Sequence, residues 1–448
     1  MTDAPLRGPQ QMSVVGCGYL GAVHATAMAT LGHTVVGVDA DPARAGALAS
    51  GSVPFYEPGL DALLTGVLET GRLRFTEDIA EAADATMHFL CVGTPQQPGR
   101  HHADMSFVEE AVRGLLSILK PGDVVVGKST VPVGTAADIA ERIRASGASL
   151  IWNPEFLREG FAIEDTLRPD RVVFGVGPTD EDKDALEVVR DAYFGILTDS
   201  TPVVVTDWAT AELVKSASNA YLATKISFIN AMADLCDIAG GDVVALADAM
   251  GHDARIGRRF LNAGLGFGGG CLPKDIRAFM ARAGELGAEN TLTFLREVDT
   301  INLARRDKVV AATVEMLGGE ITGARVAALG AAFKPDSDDI RDSPALAVAE
   351  ALHLLGADVV VTDPQALANA ARTSPQLTYA ATAEEAAGSA EIVLLLTEWQ
   401  EFVDLDPEVL GKAVQNRRVL DCRNALDPGS WTQAGWEYRC LGRPGVGR

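Results

Sequence analysis

An α/β fold with two doubly wound sheets joined by one long helix is predicted by three features of this chain. Short apolar runs rich in Val, Ile and Leu alternate with Ala-rich helical patterns, first over residues 12–176 and again over 325–420. That alternation marks a sheet with helices on both faces. Between the two blocks, Asp207 to Ala239 contains neither Pro nor Gly. Its apolar residues Leu213, Val214, Ala217, Ala220, Tyr221, Ile226, Ile229, Leu235 and Ile238 recur at helical spacing. At 1.5 Å per residue this helix is on the order of 45 Å long, a spine suited to joining domains and to a dimer contact. With 448 residues the chain exceeds what one hydrophobic core sustains. The expected division is 1–205, 206–300 and 301–448.

The first block opens with a strand, Met12 to Gly16, that runs into Gly16-Cys17-Gly18-Tyr19-Leu20-Gly21. An Ala-rich helix ending near Leu31 follows, then a strand from Thr34 to Val38 that ends in Asp39. G-x-G-x-x-G between strand and helix, with an acidic residue about 20 positions on, is the dinucleotide-binding, Rossmann-type fingerprint. The glycines permit the tight turn, and the helix N-terminus favours a pyrophosphate. Asp39 suits ribose hydroxyls and repels a 2′-phosphate, which favours NAD over NADP.

Further strands are expected at Thr86–Val92, Asp123–Lys128, Ser149–Trp152 and Arg171–Val176, all in one parallel sheet. Ligands gather beyond the carboxyl ends of such strands. Val92–Pro95, Lys128–Thr135 and Asn153–Gly160 follow three of them and together read as an active-site rim. On the long helix, Lys215 and Asn219 stand four apart on one face. They are either solvated or functional. The second block places strands at Arg325–Gly330, Val359–Asp363, Ile392–Leu396 and Val419–Leu420. Its first turn, Ala332-Phe333-Lys334-Pro335, has no G-x-G-x-x-G, so a nucleotide other than NAD is expected there. Asp339-Ile340-Arg341-Asp342-Ser343-Pro344 opens the next helix.

The densest chemistry lies at Phe260–Asp275. Gly264, Gly266, Gly268, Gly269 and Gly270 precede Cys271, and Leu272-Pro273-Lys274-Asp275 follow. Glycine lets backbone approach a ligand closely. A cation beside a thiol favours the nucleophilic thiolate.

A net charge of −23 leaves no broad basic surface for nucleic acid. Cys17, Cys91, Cys236, Cys271, Cys422 and Cys440 form no C-x-x-C pair, so no zinc site or other metal centre is expected. Most read as buried free thiols of a reducing compartment. Met1 to Gln11 lacks an apolar secretory region, and no run of about 20 apolar residues suggests a membrane span. A cytoplasmic protein is expected.

Together these motifs resemble the UDP-glucose/GDP-mannose dehydrogenase family along essentially the whole chain. The resemblance rests on Gly16–Gly21, Lys128–Thr135, Asn153–Gly160, Glu212–Asn219, Arg255–Asp275, Ala332–Pro344 and Asp421–Asn424. It implies four-electron oxidation of the C6 hydroxyl of a nucleotide-linked hexose, with two NAD per turnover and a Cys-bound thiohemiacetal and thioester. Cys271 is similar to the family nucleophile, and Lys215 and Asn219 to its oxyanion-stabilising pair. Asp275 resembles the carboxylate that assists proton transfer, Glu155 the base for thioester hydrolysis, and Thr130 the hydroxyl that positions water. The cofactor set implied is Gly16, Gly18, Tyr19, Leu20, Gly21, Asp39, Arg44, Thr94, Thr130, Glu159, Lys274 and Arg341. The substrate set is Glu155, Phe156, Leu157, Glu159, Lys215, Asn219, Arg255, Phe260, Gly264, Phe267, Gly268, Phe333, Lys334 and Arg423. Of these, Arg255 resembles an arginine that reaches the hexose site of a neighbouring subunit, which implies a homodimer or higher homo-oligomer. A uridine-linked glucose is favoured. TDP-glucose, UDP-N-acetylhexosamine and GDP-mannose stay open, with a two-electron β-hydroxyacid dehydrogenase more remote.

Overall fold

The computed structural model describes residues 8–197 and 200–444. Of the N-terminal stretch read as non-secretory, Met1–Arg7 lies outside the described residues. The chain forms two compact units, Met1–Ser218 and Asn219–Arg448.

The first unit is built on eight strands. They are β1 (Gln11–Val15), β2 (Thr34–Val38), β3 (Leu73–Thr76), β4 (Met87–Leu90), β5 (Val124–Gly127), β6 (Ser149–Trp152), β7 (Val172–Val176) and β8 (Val203–Asp207). Their order across the sheet is β3-β2-β1-β4-β5-β6-β7-β8. Both faces are covered: Val14, Phe89, Val126 and Ile151 enter one apolar cluster, while Val15, Leu90, Val125 and Trp152 enter another. Two-sided burial is why these strands read as unbroken apolar runs.

One expectation for this sheet is corrected. It is not parallel throughout, because β7 pairs antiparallel with β6 and then parallel with β8. An apolar run such as Val172–Val176 reads the same in either direction, so strand polarity leaves no mark in the sequence.

The second unit carries β9 (Arg325–Leu329), β10 (Asp358–Thr362), β11 (Thr378–Tyr379), β12 (Ile392–Leu395), β13 (Arg418–Asp421) and β14 (Glu437–Cys440). Their order, β11-β10-β9-β12-β13-β14, repeats that of β3 through β6, and every pair is parallel. The repeat extends to the first turn. Gly16 N donates to Val38 O at 2.8 Å, and Gly330 N donates to Thr362 O at 2.8 Å. Both glycines hold positive φ, +89° and +119°, which other residues rarely adopt.

An aspartate follows the second strand of each repeat, and the two are used differently. Asp39 accepts from Cys17 N, Asp41 N and the half-exposed Arg44 guanidinium. Asp363 accepts five N–H groups, from Ala331, Ala332, Gln365, Ala366 and the Trp399 indole. A carboxylate offers about four lone-pair sites, so Asp363 is saturated by its own chain.

The long helix spans Trp208–Ala239, 32 residues and about 48 Å. Asp207, expected within it, ends β8 and caps the helix by accepting from Thr210 N at 2.8 Å. The apolar residues that mark the helix in the sequence do not share one buried face. Leu213, Tyr221, Leu235 and Ile238 are exposed, whereas Glu212, Lys215, Asn219, Ser227 and Asn230 are buried beside Ala220, Ala223 and Ala233. The helix turns polar residues inward because they bind backbone and neighbouring side chains. Among the described residues, no helix is long and apolar enough to cross a membrane.

Candidate active site

In the first unit, Gly18 sits at the N-cap of helix Tyr19–Thr30. A Cβ on Gly21 would lie 1.8 Å from Gly16 O, whereas one on Gly18 would meet nothing within 4 Å. Gly16 and Gly21 are therefore demanded by packing, whereas the space beside Gly18 is open. Leu20 packs against the core and Asp39 closes the same strand edge. The Tyr19 hydroxyl donates to the buried Glu57, which also accepts from Gly160 N and Ala162 N, each at 2.7 Å. Glu57 thus ties the glycine turn to the Asn153–Gly160 loop. Tyr19 and Leu157 share a small apolar cluster there.

Thr94 is buried and donates to Thr130 O at 2.6 Å. From the long helix, Glu212 accepts Gly134 N and Ala136 N, each at 2.7 Å, and so caps helix Thr135–Ile143. Glu155 is half-buried. Its Oε1 accepts Phe156 N and Leu157 N, and its Oε2 meets the Lys128 ammonium at 2.9 Å. Two cations lie near the ring of Phe156, with Arg171 3.9 Å and Lys215 5.7 Å from its centroid. Glu159 is half-buried on the same loop.

In the second unit, Cys271 is the N-cap of helix Leu272–Glu285 and is exposed, while the other five cysteines are buried. The positive end of the helix dipole favours an anion at that position. Four residues along, the buried Asp275 accepts from Asn219 Nδ2 at 2.6 Å and from Lys274 Nζ. Burial alone would lower the Lys274 pKa, but Asp275 and the Cys271 thiol outweigh it and hold it above the ordinary value. The glycine run is shaped by its neighbours: a Cβ on Gly269 would strike the Phe333 ring at 2.8 Å, and one on Gly270 the Arg341 guanidinium at 2.3 Å.

The loop before Cys271 is bolted through its backbone. Asn230 accepts Gly264 N, Arg305 donates to Gly264 O, and Asn302 both accepts Phe267 N and donates to Phe267 O. Arg423 donates to Leu396 O, Gly266 O and Phe333 O and pairs with Glu398, so it holds this loop rather than standing open. Arg341 pairs with Asp339, and Lys334 lies over the Phe333 ring. Arg255 is exposed and pairs with Asp253. Phe260 holds φ +65°, an uncommon strain for a bulky residue. Gly268 packs against Asp342 O.

Models of one family cover nearly all of these elements. Its NAD binding domain matches residues 10–194, its central domain 209–304 and its UDP binding domain 327–428. The chain belongs to the UDP-glucose/GDP-mannose dehydrogenase family. It is 41% identical over 442 residues to a UDP-glucose 6-dehydrogenase of Rhizobium meliloti, covering 97% of this chain and 100% of that protein. A UDP-glucose 6-dehydrogenase of Pseudomonas aeruginosa is 38% identical over 453 residues, 98% of each. The solved UDP-glucose dehydrogenase of the archaeon Pyrobaculum islandicum is 38% identical with a TM-score of 0.86, covering 95% of this chain and 96% of that one.

Within this UDP-glucose/GDP-mannose dehydrogenase chain, sequence reasoning missed Glu57, Asn230, Asn302 and Arg305. Each is a polar residue whose spacing matches a solvated position. Lys128 and Glu212 lay inside quoted motifs, but only burial reveals their use. Among the described residues, no group of three or more His, Cys, Asp or Glu could hold a metal.

Proposed function

We propose that this enzyme oxidises the C6 hydroxyl of UDP-glucose to the carboxylate, with Cys271 as covalent nucleophile. The observation that carries the reading is the lone exposed thiol at a helix N-terminus, beside the buried Asn219–Asp275–Lys274 network. NAD, held by Gly16, Gly18, Gly21 and Asp39, supplies the hydride acceptor for both oxidations. One alcohol, two NAD⁺ and one water become one carboxylate, two NADH and three protons.

The chain's own groups divide the rest of the work. Cys271 Sγ adds to the C6 aldehyde to give a thiohemiacetal, which after the second oxidation becomes a thioester. Lys215 and Asn219 stabilise charge on the C6 oxygen as it develops. Asp275 carries protons and holds a water. Thr130 positions the hydrolytic water and Glu155 takes its proton, so that the carbon–sulfur bond breaks and the thiol is restored. Covalent capture keeps the aldehyde from escaping. Phe260–Phe267 with Gly268, Phe333, Lys334 and Arg423 forms the nucleotide-sugar set.

The proposed domain division is 1–205, 206–300 and 301–448. Self-association rests on Tyr221, Phe228 and Leu235, spaced by seven residues and exposed with Ile238 on the long helix. A homodimer is the reading, with Arg255 reaching the neighbour's hexose site, and fully active monomers in sedimentation velocity would refute it. Six cysteines, none of them in a disulfide among the described residues, support a reducing, cytoplasmic setting.

A panel of UDP-, TDP- and GDP-linked sugars read by NADH absorbance tests the reading. The highest kcat/KM is expected with UDP-glucose and two NADH per sugar consumed. One NADH per sugar, or turnover confined to a mannose-configured or N-acetylated sugar, would refute it.

A further inference from the structure

Lys128 follows β5 and its side chain is only 4% exposed. Its ammonium lies 2.9 Å from Glu155 Oε2, 2.9 Å from Asn153 Oδ1 and 3.4 Å from the Tyr193 hydroxyl. Three N–H donors therefore meet three acceptors. Those acceptors are themselves fixed. Asn153 Nδ2 donates to Val173 O at 2.9 Å, and the Tyr193 hydroxyl donates to Asn153 Oδ1 at 2.8 Å. Tyr193 is buried edge-on against Phe174. Burial alone would lower the Lys128 pKa, but Glu155 and Tyr193 outweigh it and hold it well above the ordinary value.

A buried ion pair is a weak source of stability, because removing both ions from water costs several kcal/mol that an apolar pair would not incur. The arrangement reads better as a device for Glu155. The other oxygen of that carboxylate already accepts Phe156 N and Leu157 N. The ammonium completes the set, so the carboxylate has one orientation.

We infer that Lys128 is a positioning residue for the hydrolytic step, which fixes Glu155 as an oriented anion. The inference rests on the reading of Glu155 as the base that takes the proton of the attacking water. A base must face the attacking water in one direction, and a buried, fixed cation holds it there without a mobile counter-ion. The oxidations do not draw on this pair, so its removal should separate them from hydrolysis.

The test compares Lys128→Met with Glu155→Gln in the full-length enzyme, using UDP-glucose and NAD. Lys128→Met is expected to release two NADH per site in a burst, the kinetic mark of an accumulating acyl-enzyme. Steady turnover should then fall by about 100-fold, the low end of what a positioned base contributes. The intact protein should gain the mass of the nucleotide-linked acyl group, with NAD affinity unchanged. A uniform loss of rate without burst or adduct, or unaltered turnover, would overturn the proposal. If Glu155→Gln accumulates the adduct and Lys128→Met does not, Lys128 is structural and Glu155 keeps its role. If Glu155→Gln hydrolyses normally, the reading of Glu155 fails and the proposal with it. Should Lys128→Met not fold, Lys128→Gln, which keeps an N–H toward Asn153 without the charge, is held to the same outcomes.

Discussion

Glu212→Ala is the sharpest structural test of how the long helix serves the first unit. Glu212 is buried, and its two oxygens accept Gly134 N and Ala136 N, each at 2.7 Å. Helix Thr135–Ile143 has glycine at its N-cap, with no side-chain cap of its own. Alanine would strand both donors, and a buried unpaired donor costs about 1–3 kcal/mol, or about 2–6 kcal/mol for two. Entry of water sets the expectation near the lower half, about 3 kcal/mol. With a urea m-value of about 3 kcal/mol per molar, the unfolding midpoint should fall by about 1 M. Urea titration by circular dichroism and by the fluorescence of Trp152 and Trp208 measures it. Glu212→Gln keeps one acceptor and should lose about half as much. An alanine variant within about 0.5 kcal/mol of the parent would refute the capping role.

Three further outcomes are expected. Cys271→Ser should accumulate a covalent sugar adduct visible by intact mass, with turnover lower by orders of magnitude, while Cys271→Ala forms none; near-normal uronate formation by the alanine variant would reduce the thiol to packing. Gly21→Ala places a Cβ 1.8 Å from Gly16 O, so titration calorimetry should show NAD binding weakened by at least about tenfold, or about 1.4 kcal/mol. Burial lowers the pKa of His24, His33 and His88, so each stays neutral in the fold when the unfolded chain begins to protonate near pH 6.5. Their contribution is complete above that pH and falls as pH drops toward the folded pKa values. His24 and His88 each add a slope of up to about 1.4 kcal/mol per pH unit. A urea midpoint independent of pH between 7 and 5 would contradict this.

The sheet was legible where burial is two-sided. Thr34–Val38 and Ser149–Trp152 were read with their observed bounds, because continuous apolar runs announce themselves. Four strands escaped. Leu73–Thr76 and Glu437–Cys440 carry exposed Arg or Glu, Thr378–Tyr379 is two residues long, and Val203–Asp207 lies at the sheet edge with Val204 and Val205 exposed. The candidate chemistry-bearing positions stood out in the sequence because glycine runs and a lone Cys-x-x-Lys-Asp leave dense local patterns. The residues that hold them were not. Asn302 and Arg305 act on backbone 35 and 41 residues away, and such pairing has no period in sequence. Lys215 and Asn219 show the same ambiguity resolved by burial, since a solvated face and an inward polar face share one spacing.

The saturation of Asp363 has a kinetic consequence. Two sheets that share a six-strand order, in one enzyme that must handle two adenine- or uracil-type nucleotides, invite each ligand to occupy the other's place. At the Gly16 turn, Asp39 accepts two backbone N–H groups and shares its remaining capacity with the half-exposed Arg44. At the Gly330 turn, five internal donors leave no acceptor for ribose hydroxyls. A dinucleotide meets an already quenched carboxylate there, so the two ligands should saturate independently. The rate law should then show no substrate inhibition by NAD at high concentration through the second lobe.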